Sequence, residues 1–537
     1  EQEFYTAGLW GVKPGNENKV YALVEKTVNE LYEKGISQED IDSAVMGIDF
    51  ALREVNRYWG PPSIQIMEKT LKGWTNGNPC PSQLTPITSF EALKKELITD
   101  PDYTRKLVKK YFIDQKVVVK FVAEASPEFF KRRNAAEQAL IKKLETNLDK
   151  EALKKDLDEL HAYQQHVETP EETACIPNTK LSSLDPKIDL PKVELKFVKG
   201  SDNSDIPLFI SKEDTNGLFY VDLLFPFDRL ESKYLQYLPF LSSVITNMGW
   251  NGKKWDECIA QSACIMGDVW GRLCTGSVSD CKQSLDFISQ YKDYNFCGRQ
   301  WLGISCKALT SMASQSLDLL SQIITTMSFD DKKRLSALIG ELKSEKKSGL
   351  VSSGRDYAIK RARSLWSPNQ ALQEILWGLS QLQTVKDYTK TKPEEILSTF
   401  KYIYEECLKS GAVLHITADE DSLKTILPMM EKFAKESKLT KLLPAKQYSL
   451  EDLKPYIIQS KSIEASKPQL IQLDSQTGYA ACVSSASQFL TQEAAAETIF
   501  TTWFSMHTLW DKIRTTGGAY GANLWNDNIE KSSVMCT

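Results

Sequence analysis

The sequence predicts an α+β fold. Its 537 residues are 42% hydrophobic and 26% charged, an ordinary globular composition that indicates about three or four domains. Short β-branched runs, at 117–122 and 412–417, indicate buried strands. Other stretches, such as 20–31, carry apolar residues at helical spacing. Because both patterns recur along the chain, helices and strands are expected to share each domain.

Charge and hydropathy exclude two classes of protein. Lys and Arg number 66 against 71 Asp and Glu, so the net charge of -5 excludes a nucleic-acid binder that relies on a basic surface. No apolar run is long enough to span a bilayer, so no membrane span is predicted. The chain begins without Met or a leader and ends in a strand-like run at 531–537, so we expect a piece of a longer polypeptide.

The first 125 residues are predicted to alternate strands and long helices. A strand is expected at 4–10, and the helical spacing from Val20 to Leu31 ends where Gly35 suits a C-terminal cap. The run Ser37-Gln-Glu-Asp40 has the shape of a capping box and opens the next helix. Another helix is predicted from Asp100-Pro101, followed by the buried strand at 117–122.

Residues 126–185 change in character. Ser126-Pro127 is typical of a helix start. Two stripes of leucine then follow in a highly charged background, at positions 140, 144, 148, 153, 157 and 160. They predict two antiparallel helices that turn near 147–150, and the Pro-punctuated stretch 169–191 is interpreted as a linker.

The rest of the chain mixes strands and helices. Strands are predicted at 193–198, 207–210, 218–225, 412–417, 469–473, 479–484 and 519–525, and helices at 235–248, 317–327, 330–346, 421–435 and 491–514. The pair Gly517-Gly518 is expected to end the last helix.

Few residues have the spacing of a metal or nucleophile site. The 11 cysteines form no C-x-x-C pair, so we expect free thiols and a reducing compartment. The four histidines are His161, His166, His415 and His507; the first two are predicted to be solvated and the others to take part in packing. No zinc-peptidase, serine-hydrolase, P-loop or dinucleotide motif occurs. The glycines of 348–354 are only a weak signal for a phosphate-binding loop.

The segment 508–522 combines groups that suit a peptide carbonyl. A helix is predicted to carry Arg514 near its end, two glycines permit a tight turn, and a strand then presents Tyr520. A guanidinium supplies charge-assisted donors and a phenol can donate to an oxyanion. The alternative interpretation is a helix cap with a surface arginine and a core tyrosine, and the residues alone favour that alternative.

The same segment resembles a signature of pitrilysin-type (inverzincin) zinc metallopeptidases. In their presequence protease subfamily the signature reads L-x-x-x-[IV]-R-x-x-G-G-A-Y-G, which fits Leu509 to Gly521. The stretches 34–41, 126–165, 352–358 and 411–418 are similar to that subfamily in order and spacing. The resemblance covers essentially the whole chain.

The resemblance implies half of a clam-shell, with repeated α+β domains joined by a helical hairpin. The implied partition is the remainder of a second domain at 1–125, the hairpin and linker at 126–185, a third domain at 186–440 and the beginning of a fourth at 441–537. It further implies the distal half of a zinc endopeptidase that degrades unfolded peptides, such as targeting presequences, in a closed chamber.

The family's zinc ligands lie in a first domain that this chain does not contain, so no metal ligand is assigned here and the isolated chain is expected to be inactive. Arg514 and Tyr520 carry over as the residues that bind the substrate carbonyl and stabilise the transition state, with Gly517, Gly518 and Ala519 as substrate-binding backbone. Implied partners are unfolded peptides and the N-terminal catalytic half. The alternative is a catalytically silent binding or assembly subunit of the same fold.

Overall fold

The computed structural model describes residues 5–537 except 56–59, 78–85, 115–117, 147, 188–189, 460–462, 464–466, 473–474 and 476. Contacts divide the described chain into two compact units. One unit comprises the described parts of 1–37 and 88–191, and the other those of 38–87 and 192–537.

Helices make up the regular structure described before residue 190. In chain order they are α1 (Glu17–Lys34), α2 (Gln38–Arg53), α3 (Pro62–Thr75), α4 (Pro86–Thr99), α5 (Tyr103–Val108), α6 (Phe129–Thr146), α7 (Lys150–Gln165) and α8 (Pro170–Thr173). The predictions of α1 and α2 are confirmed, and Gly35 ends α1 with a φ of 79° while its N–H donates to Leu31 O.

Both strands predicted in the first 125 residues are wrong where the structure describes them. Residues 5–10 and 118–122 form no strand, and the side chains of Val119 and Phe121 are more than four-fifths exposed. Residues 4 and 117 lie outside the described residues. β-branched residues favour a strand only where a neighbouring strand can pair with them, and none of the described strands does so here.

The two helices predicted after residue 126 are confirmed as α6 and α7, although α6 begins at Phe129 rather than at Pro127. Asp149 caps α7 because its carboxylate accepts from the N–H groups of Glu151 and Ala152. Both leucine stripes remain exposed: the least exposed of the six, Leu153, still shows 40% of its surface.

Strands and helices mix after residue 190. They are β1 (Val193–Lys199), β2 (Asp205–Lys212), β3 (Leu218–Pro226), α9 (Leu238–Val244), α10 (Trp255–Ile265), β4 (Asp268–Cys274), α11 (Lys282–Gln290), β5 (Trp301–Leu309), α12 (Ala313–Thr326), α13 (Lys332–Ser352), α14 (Gly354–Arg363), α15 (Pro368–Trp377), α16 (Ser380–Tyr388), α17 (Pro393–Lys409), β6 (Val413–Ala418), α18 (Glu420–Ile426), α19 (Met430–Glu436), α20 (Leu450–Leu453), β7 (Ala481–Ser485), α21 (Gln492–Phe504), a π-helix (Ser505–Thr515), β8 (Asn523–Asp527) and β9 (Ser532–Cys536). The α+β class is therefore confirmed.

A six-stranded mixed sheet organises the larger unit, in the order β1-β2-β6-β3-β5-β4. Its pairs are antiparallel except β2 with β6, which is parallel. Val221 and Leu223 of β3 are fully buried with Leu320 of α12 and Phe400 of α17, so one face of the sheet packs on helices. Burying each such side chain contributes about 1.5–3 kcal/mol. The opposite face carries half-buried residues, among them Tyr220 and Asp222.

A second, antiparallel sheet has the order β7-β9-β8, so the strand at the end of the chain lies in its centre. It packs on α14 and the turn that follows. The Arg363 guanidinium pairs with Asp527 and donates to Ser532 Oγ at 3.0 Å. The Tyr479 hydroxyl donates to Val351 O at 2.8 Å.

Three further predictions are wrong. Residues 469–472 form no strand (residue 473 lies outside the described residues), and 348–352 belong to α13 rather than to a glycine loop. The helix predicted at 421–435 is two helices, because Pro428 lies in the turn between α18 and α19 and cannot donate an internal helix hydrogen bond. Among the described helices, none has the length and apolarity needed to cross a membrane.

Candidate functional site

The segment around Arg514 begins as an α-helix and continues as a π-helix. α21 runs to Phe504, and the π-helix then ends with the Thr516 N–H donating to Asp511 O at 2.9 Å. Gly518 N–H donates to Arg514 O at 3.0 Å, and Ala519 N–H to Ile513 O at 3.1 Å. This closure resembles a Schellman cap in which each bond spans one more residue. π-helical turns are rare and are often found at functional sites.

The two glycines are needed for different reasons. A Cβ on Gly517 would lie 2.6 Å from Ile513 O, closer than any side chain can approach a backbone carbonyl. Gly518 has a φ of 73°, which side chains other than hydrogen disfavour. The predicted end of the helix at Gly517-Gly518 is confirmed, and the turn reverses the chain immediately after Arg514.

The turn brings Arg514 and Tyr520 together. The guanidinium carbon of Arg514 lies 3.8 Å from the centre of the Trp510 ring and 5.9 Å from the centre of the Tyr520 ring. Such cation–π contacts contribute about 0.5–1 kcal/mol at exposed sites. Stacking on Trp510 uses the face of the guanidinium and leaves the N–H groups at its edge directed outward. Within the described chain, no carboxylate forms an ion pair with Arg514.

Tyr520 lies in a loop, because the strand predicted from Ala519 begins only at Asn523. The loop is fixed at its far side: the Ser505 hydroxyl accepts from Leu524 N–H at 2.9 Å, and the Thr537 hydroxyl donates to Gly521 O at 2.9 Å. The Tyr520 side chain is 94% exposed, so it is not the core tyrosine of the alternative interpretation. Gly517 and Gly518 are also exposed, and Ala519 is half-buried.

An exposed apolar stripe approaches this pair along the same helical segment. Its members are separated by three or four residues, so they share a face, and they are Ile499, Trp503, Met506 and Trp510. Beside it, Trp503 and His507 stack at 5.3 Å between ring centres and border an open groove of about 400 Å³. The prediction that His507 packs in a core is wrong. Sequence reasoning also missed Trp510, which the spacing Trp510-x-x-x-Arg514 could have indicated.

The remaining histidines and the cysteines do not assemble a metal site. His161 lies on α7, and His166 Nε2 contacts the Glu172 carboxylate at 3.1 Å. His415 is held by the Asp222 carboxylate and the Ser211 hydroxyl, so its predicted satisfied environment is confirmed. Over the described ranges, no three His, Cys, Asp or Glu side chains are grouped to hold a metal, and each of the ten described cysteines is a free thiol.

Zinc does not fit any described site of this chain, and no chemical step is derived through it here. The geometry around Arg514 and Tyr520 instead defines a surface of hydrogen-bond donors beside exposed aromatic rings. Such a surface can bind a backbone carbonyl and an adjacent apolar side chain.

Comparison with known proteins gives the class first. Residues 124–387 match the family described as peptidase M16 (subfamily C) associated, so the chain is related to the M16 peptidases. Among solved structures, the peptidase M16 inactive domain from Pseudomonas fluorescens superposes with a TM-score of 0.40 at 12% identity, covering 64% of this chain and 73% of that chain.

Within that class, the chain is similar to presequence proteases. The mitochondrial presequence protease of Xenopus laevis is 24% identical over 389 residues, covering 72% of this chain and 35% of the relative. That of Yarrowia lipolytica is 23% identical over 532 residues, covering 96% and 49%. The resemblance drawn from the sequence is thereby confirmed. The chain spans half or less of the length of these relatives.

Proposed function

We propose that this chain is the distal, substrate-binding part of a zinc metalloendopeptidase that degrades unfolded peptides, such as targeting presequences, in a closed chamber. The observation that carries the proposal is the convergence of Arg514, Trp510 and Tyr520 at the glycine turn. A purely structural subunit gains nothing from an exposed, oriented guanidinium next to an exposed phenol.

Arg514 binds the carbonyl of the substrate peptide through its outward N–H groups. A charged donor strengthens such a hydrogen bond, and the Trp510 ring holds the guanidinium plane so that little orientational freedom is lost on binding. Tyr520 donates its phenolic O–H to the oxyanion that develops on that carbonyl during cleavage. Gly517, Gly518 and Ala519 let the substrate backbone approach the turn.

The apolar stripe from Ile499 to Trp510 binds side chains of the peptide. An extended peptide alternates the direction of its side chains, so apolar residues can contact the stripe while the backbone reaches Arg514. A folded protein presents neither an accessible backbone nor adjacent apolar side chains. The surface therefore favours unfolded peptides.

The catalytic chemistry lies with residues outside this chain. Zinc, held by an N-terminal half, would activate water for the attack. We propose the partition into domains at 1–125, 126–185, 186–440 and 441–537 for the part present here. The relatives are named mitochondrial, and free thiols suit a reducing compartment, so we propose a matrix as its location.

Peptide binding to the 537-residue chain tests the assignment of Arg514. Fluorescence anisotropy of a labelled, unfolded basic presequence-like peptide should show binding that Arg514→Ala weakens about tenfold, as expected for one charge-assisted hydrogen bond of about 1.5 kcal/mol. Lys512→Ala is the matched control, because Lys512 is an exposed cation on the same π-helix. Equal effects of the two substitutions would refute a specific role for Arg514.

The silent-subunit alternative predicts a different pattern. There the surface would bind a folded partner, so the unfolded peptide would not bind and Arg514→Ala would leave its anisotropy unchanged.

A further inference from the structure

A chain of hydrogen bonds crosses five strands on the face of the large sheet opposite its helical core. The Ser211 hydroxyl on β2 lies 3.0 Å from His415 Nε2 on β6, and His415 Nδ1 lies 2.9 Å from Asp222 Oδ2 on β3. The Ser305 hydroxyl on β5 donates to Asp222 Oδ1 at 2.6 Å, and Arg272 Nη2 on β4 lies 2.9 Å from the same oxygen. The order is serine, histidine and aspartate, as in a nucleophile with its base and orienting group.

The partners fix the direction of each hydrogen bond. An ionised carboxylate only accepts, so Nδ1 of neutral His415 carries the proton and donates to Asp222. Nε2 then has the lone pair and accepts from the Ser211 hydroxyl. Thr417 Oγ1 lies farther from Nε2, at 3.4 Å. The ring is therefore held in the tautomer that removes a proton from Ser211.

Asp222 is held in its ionised form by its neighbours. Burial alone raises the pKa of Asp222, but the hydrogen bonds from His415 and Ser305 and the charge of Arg272 outweigh that effect, and the pKa is lowered below its ordinary value. Space for Arg272 is provided by Gly303, where a Cβ would lie 2.9 Å from Arg272 Cγ. The arginine can therefore cross β5 to reach Asp222 only because residue 303 has no side chain.

The serine and histidine are accessible, and an apolar patch lies beside them. The His415 side chain is 30% exposed, and Ser211 is half-buried. Phe209, Val413 and Leu224 each lie two residues from a member of the chain of hydrogen bonds, so they share its face of the sheet, and they pack in one cluster with Phe296. That cluster suits a small apolar acyl group.

We propose that Ser211, His415 and Asp222 form a second reactive site, in which Ser211 is a nucleophile toward small esters with an apolar acyl group. This site is separate from the one assigned to Arg514 and Tyr520, and neither proposal depends on the other.

The step is an acyl transfer with ordinary balance. Ser211 Oγ attacks the ester carbonyl carbon while its proton passes to His415 Nε2, and the carbon–oxygen bond to the alcohol breaks as the alcohol takes that proton. Water then attacks the acyl-serine with the same proton transfers, releasing the carboxylic acid and restoring Ser211. Asp222 stabilises the imidazolium form of His415 in both steps.

A fluorophosphonate probe tests the proposal without a turnover assay. Attack by Ser211 Oγ forms a serine–phosphorus bond and expels fluoride, so intact-mass and peptide analysis of the purified chain should find the adduct on Ser211. A p-nitrophenyl acetate assay should show a burst equal to the labelled fraction.

Substitutions separate a reactive serine from a structural network. Ser211→Ala should remove the adduct, and His415→Gln and Asp222→Asn should each slow labelling of Ser211 by at least about tenfold, because the base or its tautomer is lost. Ser484→Ala, which removes a serine of β7, should leave labelling unchanged, and thermal melts identify any variant that fails to fold. Absence of an adduct on Ser211, or an unchanged labelling rate in a folded His415→Gln variant, would overturn the proposal.

Discussion

Arg514 is oriented by an aromatic ring rather than by a carboxylate, and this difference matters for binding. A carboxylate partner would occupy the edge N–H groups of the guanidinium, whereas the Trp510 ring contacts only its face. Lysine cannot reproduce this arrangement, since an ammonium has neither a planar face nor two parallel donors. Arg514→Lys should therefore weaken peptide binding nearly as much as Arg514→Ala in the same anisotropy assay.

Tyr520 should affect turnover more than binding. In the intact enzyme that the relatives represent, Tyr520→Phe should lower kcat by about 10²–10³ with little change in KM, because the phenol is assigned to the transition-state oxyanion. Steady-state kinetics on a presequence-like peptide measures both constants.

Tyr163→Phe is the matched control for this substitution, since Tyr163 is another highly exposed tyrosine, on α7. A Tyr520→Phe enzyme with unchanged kcat would assign Tyr520 to a structural turn.

At the scale of single residues, the sequence predicted which groups meet but not how. The Gly517-Gly518 pair predicted the chain reversal after Arg514, because few other residues permit a positive φ or so close an approach to a carbonyl. The stacking on Trp510 depends on the π-helical turn, and side-chain periodicity in the sequence does not distinguish that turn from an α-helix.

Among the secondary-structure elements, the cap of α18 links stability to pH. Asp419 accepts from Ser422 N–H and Gly217 N–H, each at 2.9 Å, and from the Thr215 hydroxyl at 3.1 Å. Burial opposes ionisation, but these hydrogen bonds outweigh it and lower the pKa of Asp419 to about 2. Its stabilising effect is thus fully present above the unfolded pKa near 3.9 and is lost as the pH falls through about 2.

Asp419→Ala should therefore cost about 1–2 kcal/mol of unfolding free energy at pH 5. The difference from wild type should shrink by about 1 kcal/mol at pH 3, because the wild-type protein loses part of the contribution there. Urea denaturation at the two pH values measures it. A difference that is constant, or that grows on acidification, would contradict the assigned role.

A buried ion pair fixes the connection between β3 and β5. Arg299 and Asp228 form two parallel bonds of 2.8 Å, with 0% and 3% of their side chains exposed. Asp228→Ala should destabilise the protein by about 3–5 kcal/mol, because it leaves a buried charge without its partner. Chemical denaturation checks this value.

The exposed pair Lys531–Asp280 serves as the comparison, and Lys531→Ala should cost less than about 1 kcal/mol. A similar loss in both variants would mean that burial of the charges does not determine the effect.

The strands near the start of the chain show what local patterns leave out. The run 118–122 has strong β propensity, yet the structure describes it as exposed and without a strand. Helices such as α1 satisfy their own backbone hydrogen bonds, so periodicity and caps predict them well. A strand requires a partner whose position the local sequence does not contain.

For the whole molecule, pairing between distant segments determines both candidate sites. The parallel contact of β2 with β6 places Ser211 beside His415, which follows it by 204 residues. Sequence reasoning rejected a serine nucleophile because histidines are few, and no spacing rule relates positions so far apart. The α+β class and the M16 resemblance were predictable from local patterns and motifs, whereas the sheet order was not.

The central claim is that this chain binds peptide but does not supply the catalytic metal site. Its most direct test is to incubate the purified 537-residue chain with an unfolded presequence-like peptide, with added zinc and with a chelator, and to follow binding by anisotropy and cleavage by mass spectrometry. We expect the peptide to bind and to remain intact in both conditions, because no described group of side chains can hold zinc. Zinc-dependent cleavage products, or failure of the peptide to bind, would contradict the account.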